Sequence, residues 1–397
     1  MEKNKLKVAL VHDFLVQYGG AERVLEVLTE MYPAAPIYTL LYDKEKMRGK
    51  FADKVVFASF LQKFPKWLRK RYRYLLPLMP TAPETFDLRD YDLVISSSGA
   101  WSKGIVTRLN TIHVSYTHSP MRFVWDANGQ YLQEQEKGKS TKFCVRLLLS
   151  YIRMWDKVAM DRPDHIIANS KYTQLRIKKY YGRESTIIYP PAYAEYKNFQ
   201  FPISNFQSNS NDKNLNSKYF LVVSRLSPYK KIDAVVESFN KLGLPLVVIG
   251  EGQQEKYLKH IAGPNIKFLG WRLDEEVAEY YQNARAFIFA GVDDFGMAPV
   301  EAMSFGLPVL AIRKGGAKEI VLEGQTGEFF DAATPEVIAD GVRRLMENEK
   351  NYDREFIKAR AKEFSKDRFV REFGEYIESI ISKSKIQISN QKQNKNI

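Results

Sequence analysis

The chain has one cysteine, Cys144, in 397 residues. No disulfide framework can therefore form within it, and a cysteine-based zinc site is excluded. This usage fits a reducing compartment. A long apolar run is also missing, so no stretch reads as a membrane-spanning helix. The opening residues "MEKNKLKVALVHDF" run straight into a strand-like segment. They lack the apolar core and small-residue cleavage site of a secretory leader. A cytosolic protein is expected. A third absence is local: "LQKFPKWLRKRYRYLLPL" (Leu61 to Leu78) contains no acid at all.

What is present is ample for a folded protein. Hydrophobic residues make up 45% and aromatics 13% of the chain, which argues against general disorder. The length predicts two domains. A net charge of +13 points to nucleic acid, an anionic membrane surface or a phosphorylated substrate as partner. Leu61 to Leu78 alternates basic residues with Trp, Tyr and Leu, which suits a segment lying on an anionic bilayer. It equally suits a basic helix whose aromatics enter its own domain's core. Pro65 and Pro77 confine any helix to the middle of the segment. Nucleic-acid binding would require a basic strip with stacking aromatics. Here the cluster runs on into "YLLPLMP", which favours lipid, so no nucleic-acid partner is expected.

Apolar, β-branched runs alternate with helical patterns, the signature of parallel α/β architecture. "KVALVHDF", "APIYTLLYD", "YDLVISSS", "TIHVSYTH", "HIIANS" and "STIIYPP" read as strands of a first series. "YFLVVS", "LPLVVIG", "NIKFLG", "RAFIFA" and "LPVLAI" read as a second. The Asn- and Ser-rich stretch between them predicts two doubly wound domains, 1–200 and 219–355, joined by a polar linker over 201–218. Helices over 356–384 could pack back on the first domain, and 385–397 reads as a disordered tail.

In such sheets, ligands bind beyond the carboxyl ends of the strands. "GVDDFGMAPVEAMSFGLPVLA" leaves the strand "RAFIFA" with Asp293 at its exit. Pro299 opens a helix and puts Glu301 in the first helical turn. Glu301 could simply meet the helix dipole. As a pair, Asp293 and Glu301 can hold sugar or ribose hydroxyls. Gly315 and Gly316 precede another helix start, which makes either a turn or an anion site of bare amides. "VVSRLSPYKKID" offers Arg225 and Lys230, with Lys231 adjacent, to stabilise charge on a departing diphosphate. In the first series, Gly19 and Gly20 open a helix after a strand, although no G-x-G-x-x-G fingerprint is present. His118 ends a strand, where it is either structural or free to hydrogen-bond substrate and shuttle a proton. Asp43 ends the second strand, where an oxidoreductase would carry its ribose-binding acid. "DYD" (Asp90 to Asp92) matches D-x-D but reads as turn chemistry before a strand.

These motifs, in this order, resemble the family-4 glycosyltransferases of GT-B architecture: "GGAERV", "ANSKYTQLRIKKYYG", "SRLSPYKKID", "VVIGEG", and "DDFGMAPVEAMSFGLPVLA" followed by "GG" and "GQTGEFF". More narrowly, "HDFLVQYGGAERV" with "YTHSPMRFVWD" is similar to members that add mannose or related sugars in bacterial surface-polysaccharide assembly. The resemblance implies two Rossmann-like domains facing across a cleft. It implies a retaining hexosyltransferase, with GDP-mannose the favoured donor, and front-face displacement in which the leaving diphosphate helps take the acceptor proton. Arg225 and Lys230 would grip the diphosphate, Glu301 the nucleotide ribose, and Asp293 would fill the first slot of the E-x7-E motif, where Asp replaces the usual Glu. His118 would sit beside the reacting sugar, while Gly19 and Gly20 would close over the phosphates. No cofactor and no metal are required. The implied acceptor is a saccharide or a lipid-diphosphate-linked saccharide, reached from the inner face of the cell membrane through Leu61 to Leu78. A sugar-nucleotide epimerase of the same architecture and a nicotinamide-dependent oxidoreductase are the alternatives.

Overall fold

A computed structural model describes residues 6–126, 139–193 and 219–394. The chain forms two compact units. The first comprises Met1–Pro191 together with Phe369–Ile397, and the second comprises Ala192–Arg368.

The first unit holds β1 (Val8–Leu15), β2 (Ile37–Tyr42), β3 (Val56–Ala58), β4 (Leu93–Ser98), β5 (Ile112–Thr117), β6 (His165–Ala168) and β7 (Thr186–Ile187). Its helices include α1 (Gly20–Met31), α2 (Lys44–Met47), α3 (Lys66–Lys70), α4 (Lys139–Ala159) and α5 (Lys171–Tyr181). The sheet order is β3-β2-β1-β4-β5-β6-β7, with every pairing parallel. Strands buried on both faces must be apolar throughout, which is why they read as continuous Val/Ile/Leu runs. α1 buries Val24, Leu25, Val27 and Leu28, at the spacing of one helix face.

The second unit carries β8 (Phe220–Val223), β9 (Leu246–Ile249), β10 (Ile266–Gly270), β11 (Ala286–Phe289), β12 (Val309–Ile312) and β13 (Gly327–Phe330). They lie in the order β10-β9-β8-β11-β12-β13, again all parallel. Between them run α6 (Ile232–Leu242), α7 (Glu255–Ile261), α8 (Asp274–Asn283), α9 (Met297–Ser304) and α10 (Ala317–Ile320). α11 (Pro335–Glu347) and α12 (Arg354–Lys362) follow, and α13 (Lys366–Asn394) closes the chain. Both sheets reverse their strand order beside their first strand, at β1/β4 and β8/β11, which are the switch points where such folds bind ligands.

Two expectations need correcting. The stretch read as a tail from 385 continues α13 to Asn394, because its Lys, Gln and Ile residues favour helix and no Gly or Pro stops it. Glu301 lies one turn deeper than expected. α9 begins at Met297 behind Gly296 (φ 95°), so its first turn holds no acid. Pro299 sits inside that turn, where its missing N–H costs nothing. The linker at 201–218 lies outside the described residues. From α13, Phe369, Phe373, Ile377 and Ile380 join the first unit's core beside Leu10, Leu25 and Tyr116.

Leu61 to Leu78 is partly built into the first unit's core. Leu61 and Leu75 are buried, whereas Trp67 is 63% and Tyr74 66% exposed. Pro65 starts α3, and a 3-10 stretch carrying Pro77 follows it.

Candidate functional site

In the first unit, polar side chains interrupt the apolar strands at their carboxyl ends. His12 and Ser97 are register partners across β1 and β4, both buried. Glu22, in the first turn of α1, lies with Oε1 3.4 Å from His12 Nε2. The Ser97 hydroxyl lies 3.1 Å from His12 Nδ1 and 2.7 Å from His118 Nε2, so it bridges the two rings. Gly19 caps α1 and stands so close that a Cβ there would meet Glu22 Oε2 at 3.3 Å. Asp13 is committed elsewhere. Its carboxylate accepts the amides of Gly99, Trp101 and Ser102 at 2.7, 2.8 and 2.7 Å, fixing the loop after β4.

Burial holds His118 down to about 4, helped by the neighbouring His12 and opposed by Asp13 and Glu22. His113, buried on β5 with Nε2 2.9 Å from Ser96 Oγ, is held down to about 3 by burial and by Arg162. The unfolded chain takes up these protons near pH 6.5 and the folded chain does not. Stability contributed by the two neutral rings is therefore full above about pH 6.5 and is lost as pH falls towards 4. Thermal melts should show Tm falling across that window, with a shallower slope in His113→Gln. A slope identical in the two proteins would remove His113 from this account.

In the second unit, the loops leaving β8 and β11 meet at the switch point. Lys230 is 9% exposed, and its Nζ lies 2.8 and 2.6 Å from the two carboxylate oxygens of Asp293. The Tyr229 and Phe289 rings lie 5.3 and 5.7 Å from the same ammonium. Gly291 makes room for this lysine: a Cβ there would stand 3.0 Å from its Cδ. Arg225 is exposed on the β8 loop and donates to the Tyr229 hydroxyl at 2.9 Å. Glu301 receives the Tyr281 hydroxyl at 3.4 Å.

Gly315 and Gly316 have a packing reason as well as the expected chemical one. A Cβ on Gly315 would come within 2.3 Å of the Asp293 carbonyl oxygen, and one on Gly316 within 2.3 Å of the Phe295 carbonyl oxygen. The Gly316 amide donates to Asp293 O at 3.0 Å, so it is spent inside the protein. The loop after β12 thus clamps the backbone that carries Asp293. Gly250 and Gly252 do the same for Arg225: their Cβ atoms would lie 1.9 Å from Ser224 O and 2.3 Å from Leu226 O.

Of the residues singled out from sequence, Lys230 is thus joined to Asp293, and Gly315 and Gly316 lie against Asp293 and Phe295. Gly19 lies against Glu22, and His118 is tied to Ser97. Arg225 and Glu301 have partners of their own. Asp43 caps α2 by accepting the Lys46 amide at 3.3 Å, and Asp92 of the D-x-D string accepts the Lys7 amide at 2.9 Å. His12, Glu22 and Ser97 escaped sequence reasoning. The available signal was polarity inside strands that should be wholly apolar: "HD" in β1 and "SSS" in β4.

Comparison with known proteins bears on both units. Residues 18–195 match the family model described as Glycosyltransferase Family 4, and residues 203–363 match that of Glycosyl transferases group 1. A probable sucrose-phosphate synthase of Thermosipho melanesiensis is 28% identical over 66% of this chain and 65% of its own length. A GDP-mannose-dependent alpha-(1-6)-phosphatidylinositol monomannoside mannosyltransferase of Mycobacterium tuberculosis is 26% identical over 47% of this chain and 53% of its own. The chain thus spans less than two thirds of these relatives. Among solved structures, Anabaena HepE in complex with UDP-glucose superposes with a TM-score of 0.66 at 19% identity, covering 94% of this chain and 100% of that one.

Proposed function

We propose, from the premise that this chain belongs to glycosyltransferase family 4 with the GT-B fold, that it moves a hexose from a nucleotide-sugar to a saccharide or lipid-diphosphate-linked saccharide. The observation that carries the reading is the Lys230–Asp293 pair, a nearly buried ammonium on one switch-point loop held by a carboxylate on the next. An ammonium so placed can stabilise charge growing on a leaving diphosphate. Arg225 supplies a second, mobile cation, and Glu301 the acceptor for ribose hydroxyls. His118, held neutral by burial, hydrogen-bonds a sugar hydroxyl. GDP-mannose is the leading donor, supported by the mannosyltransferase among the relatives. UDP-glucose, held by the Anabaena protein, is its rival. Retention of configuration by front-face displacement completes the scheme.

The acceptor side is supported by a cavity of about 210 Å3 beside the end of β2, whose wall carries five cations, Lys44, Lys46, Lys66, Arg69 and Lys70, against two acids, Asp43 and Glu45. The same lysines, with exposed Trp67 and Tyr74, suit peripheral attachment to an anionic membrane.

Calorimetric titration with GDP, UDP, GDP-mannose and NADH tests the reading. GDP should bind, and Glu301→Gln should weaken it about tenfold or more. Unchanged affinity in that variant would return Glu301 to its contact with Tyr281. Preference for UDP would keep the reaction and replace the donor. NADH binding in place of both nucleotides would end the transferase reading.

A further inference from the structure

α4 carries one wide apolar arc opposite a basic edge, and the core uses only part of it. Leu149, Ile152 and Ala159 are buried. On the outer side Phe143, Leu147, Tyr151, Met154 and Val158 are 61, 58, 50, 64 and 59% exposed. At about 100° per residue these five fall within an arc of about 80°, and they extend about 22 Å along the helix. Scattered exposed apolar residues need no explanation, but a continuous stripe of this size marks an interaction surface.

The charges around the stripe choose its partner. Arg146, Arg153 and Lys157 follow one edge of it. The sole acid in Lys139–Ala159 is Asp156, which is 0% exposed and paired to Lys103 at 2.6 Å. Arg153 also donates to the Val124 carbonyl at 2.6 Å and Lys157 lies 3.9 Å from Asp161 just past the helix, but within Lys139–Ala159 the edge of the stripe is basic and carries no exposed carboxylate. It also shares a sub-core with the acid-free segment: Leu149 and Ile152 pack together with Leu61, Leu75 and Met79. Apolar side chains beside charge of one sign are the pattern of a helix lying in the headgroup region of an anionic bilayer. A second copy of this chain, carrying the same positive edge, is the poorer electrostatic match.

We propose that α4 seats the protein on an anionic bilayer, with Phe143, Leu147, Tyr151, Met154 and Val158 entering the interface. This goes beyond the transfer reaction and does not depend on Leu61 to Leu78 binding lipid. The chain supplies its own probe, because Cys144 is its one cysteine and is exposed next to Phe143. Protein labelled there with a polarity-sensitive maleimide dye should brighten and shift to the blue with phosphatidylglycerol vesicles, and far less with phosphatidylcholine. Leu147→Glu combined with Met154→Glu should weaken partitioning by about tenfold or more, with nucleotide affinity unchanged. Lys66→Glu with Lys70→Glu gives the separate arm for the basic segment. Vesicle binding without a change at Cys144, or binding that survives the double Glu substitution, overturns the proposal. So does failure to bind vesicles, including the case where the stripe variants abolish self-association instead.

Discussion

Lys230→Ala is expected to cut turnover of a nucleotide-sugar by about 10²- to 10³-fold while the protein stays folded. Its side chain is 11% exposed, lies near two aromatic rings and is bonded to both carboxylate oxygens of Asp293. Charge placed this way acts on the leaving diphosphate more than on the bound substrate, so kcat should fall more than KM rises. Stability should also drop modestly, since Asp293 loses its partner while 24% exposed. Asp293→Asn leaves the ammonium unpaired and should cost activity too. In a double-mutant cycle the two losses should not add, because both substitutions break the same pair. Turnover of Lys230→Ala within about threefold of the parent would remove the residue from the reaction.

Gly316→Ala is the second large effect, and it acts through the backbone. The added methyl would stand 2.3 Å from the Phe295 carbonyl oxygen and 2.4 Å from its Cα, neither of which can rotate away. Overpacking of this kind costs on the order of 3 kcal/mol. Relieving it pushes the segment bearing Asp293 and Asp294, so nucleotide affinity should fall together with stability. Gly324→Ala is the control. Gly324 has φ +74° with nothing near its Cβ, so alanine there meets only the left-handed backbone cost of about 1 kcal/mol. Urea melts should separate the two variants clearly, and nucleotide titration should show a defect in Gly316→Ala alone. Equal stability in both would mean that the loop after β12 yields freely and does not clamp the acidic loop.

Much of this was legible because parallel strands buried on both faces leave an unmistakable apolar trace. β3 and β13 left none. Val56–Ala58 is a short edge strand whose Phe57 and Ala58 are exposed, and Gly327–Phe330 begins at a glycine with φ 155° and contains an acid. The loops carrying Arg225, Lys230 and Asp293 were found by their place after strands. Their closure into an ion pair depends on two strands meeting side by side, which no local pattern encodes. Glu301 was misjudged by a turn because proline is as acceptable at the third helical position as at the first. The Glu22–His12–Ser97–His118 chain draws its members from four places in the fold: strand register aligns His12 with Ser97, and the start of α1 and the end of β5 bring up Glu22 and His118.

The buried Lys103–Asp156 pair has a consequence for the shape α4 presents to its surroundings. The apolar arc of α4 is wider than the core it meets, so hydrophobic burial keeps the basic edge outward but does not by itself choose which flank of the arc turns inward. Asp156 breaks the tie. Its carboxylate is met by Lys103, by the Trp125 indole at 2.7 Å and by the Tyr181 hydroxyl at 2.7 Å. Half a turn of rotation would strand Lys103 as a buried, unpaired charge, at a cost of about 3–5 kcal/mol. The pair therefore works as a key in a slot: it decides which flank of the apolar arc the protein keeps for itself and which it shows.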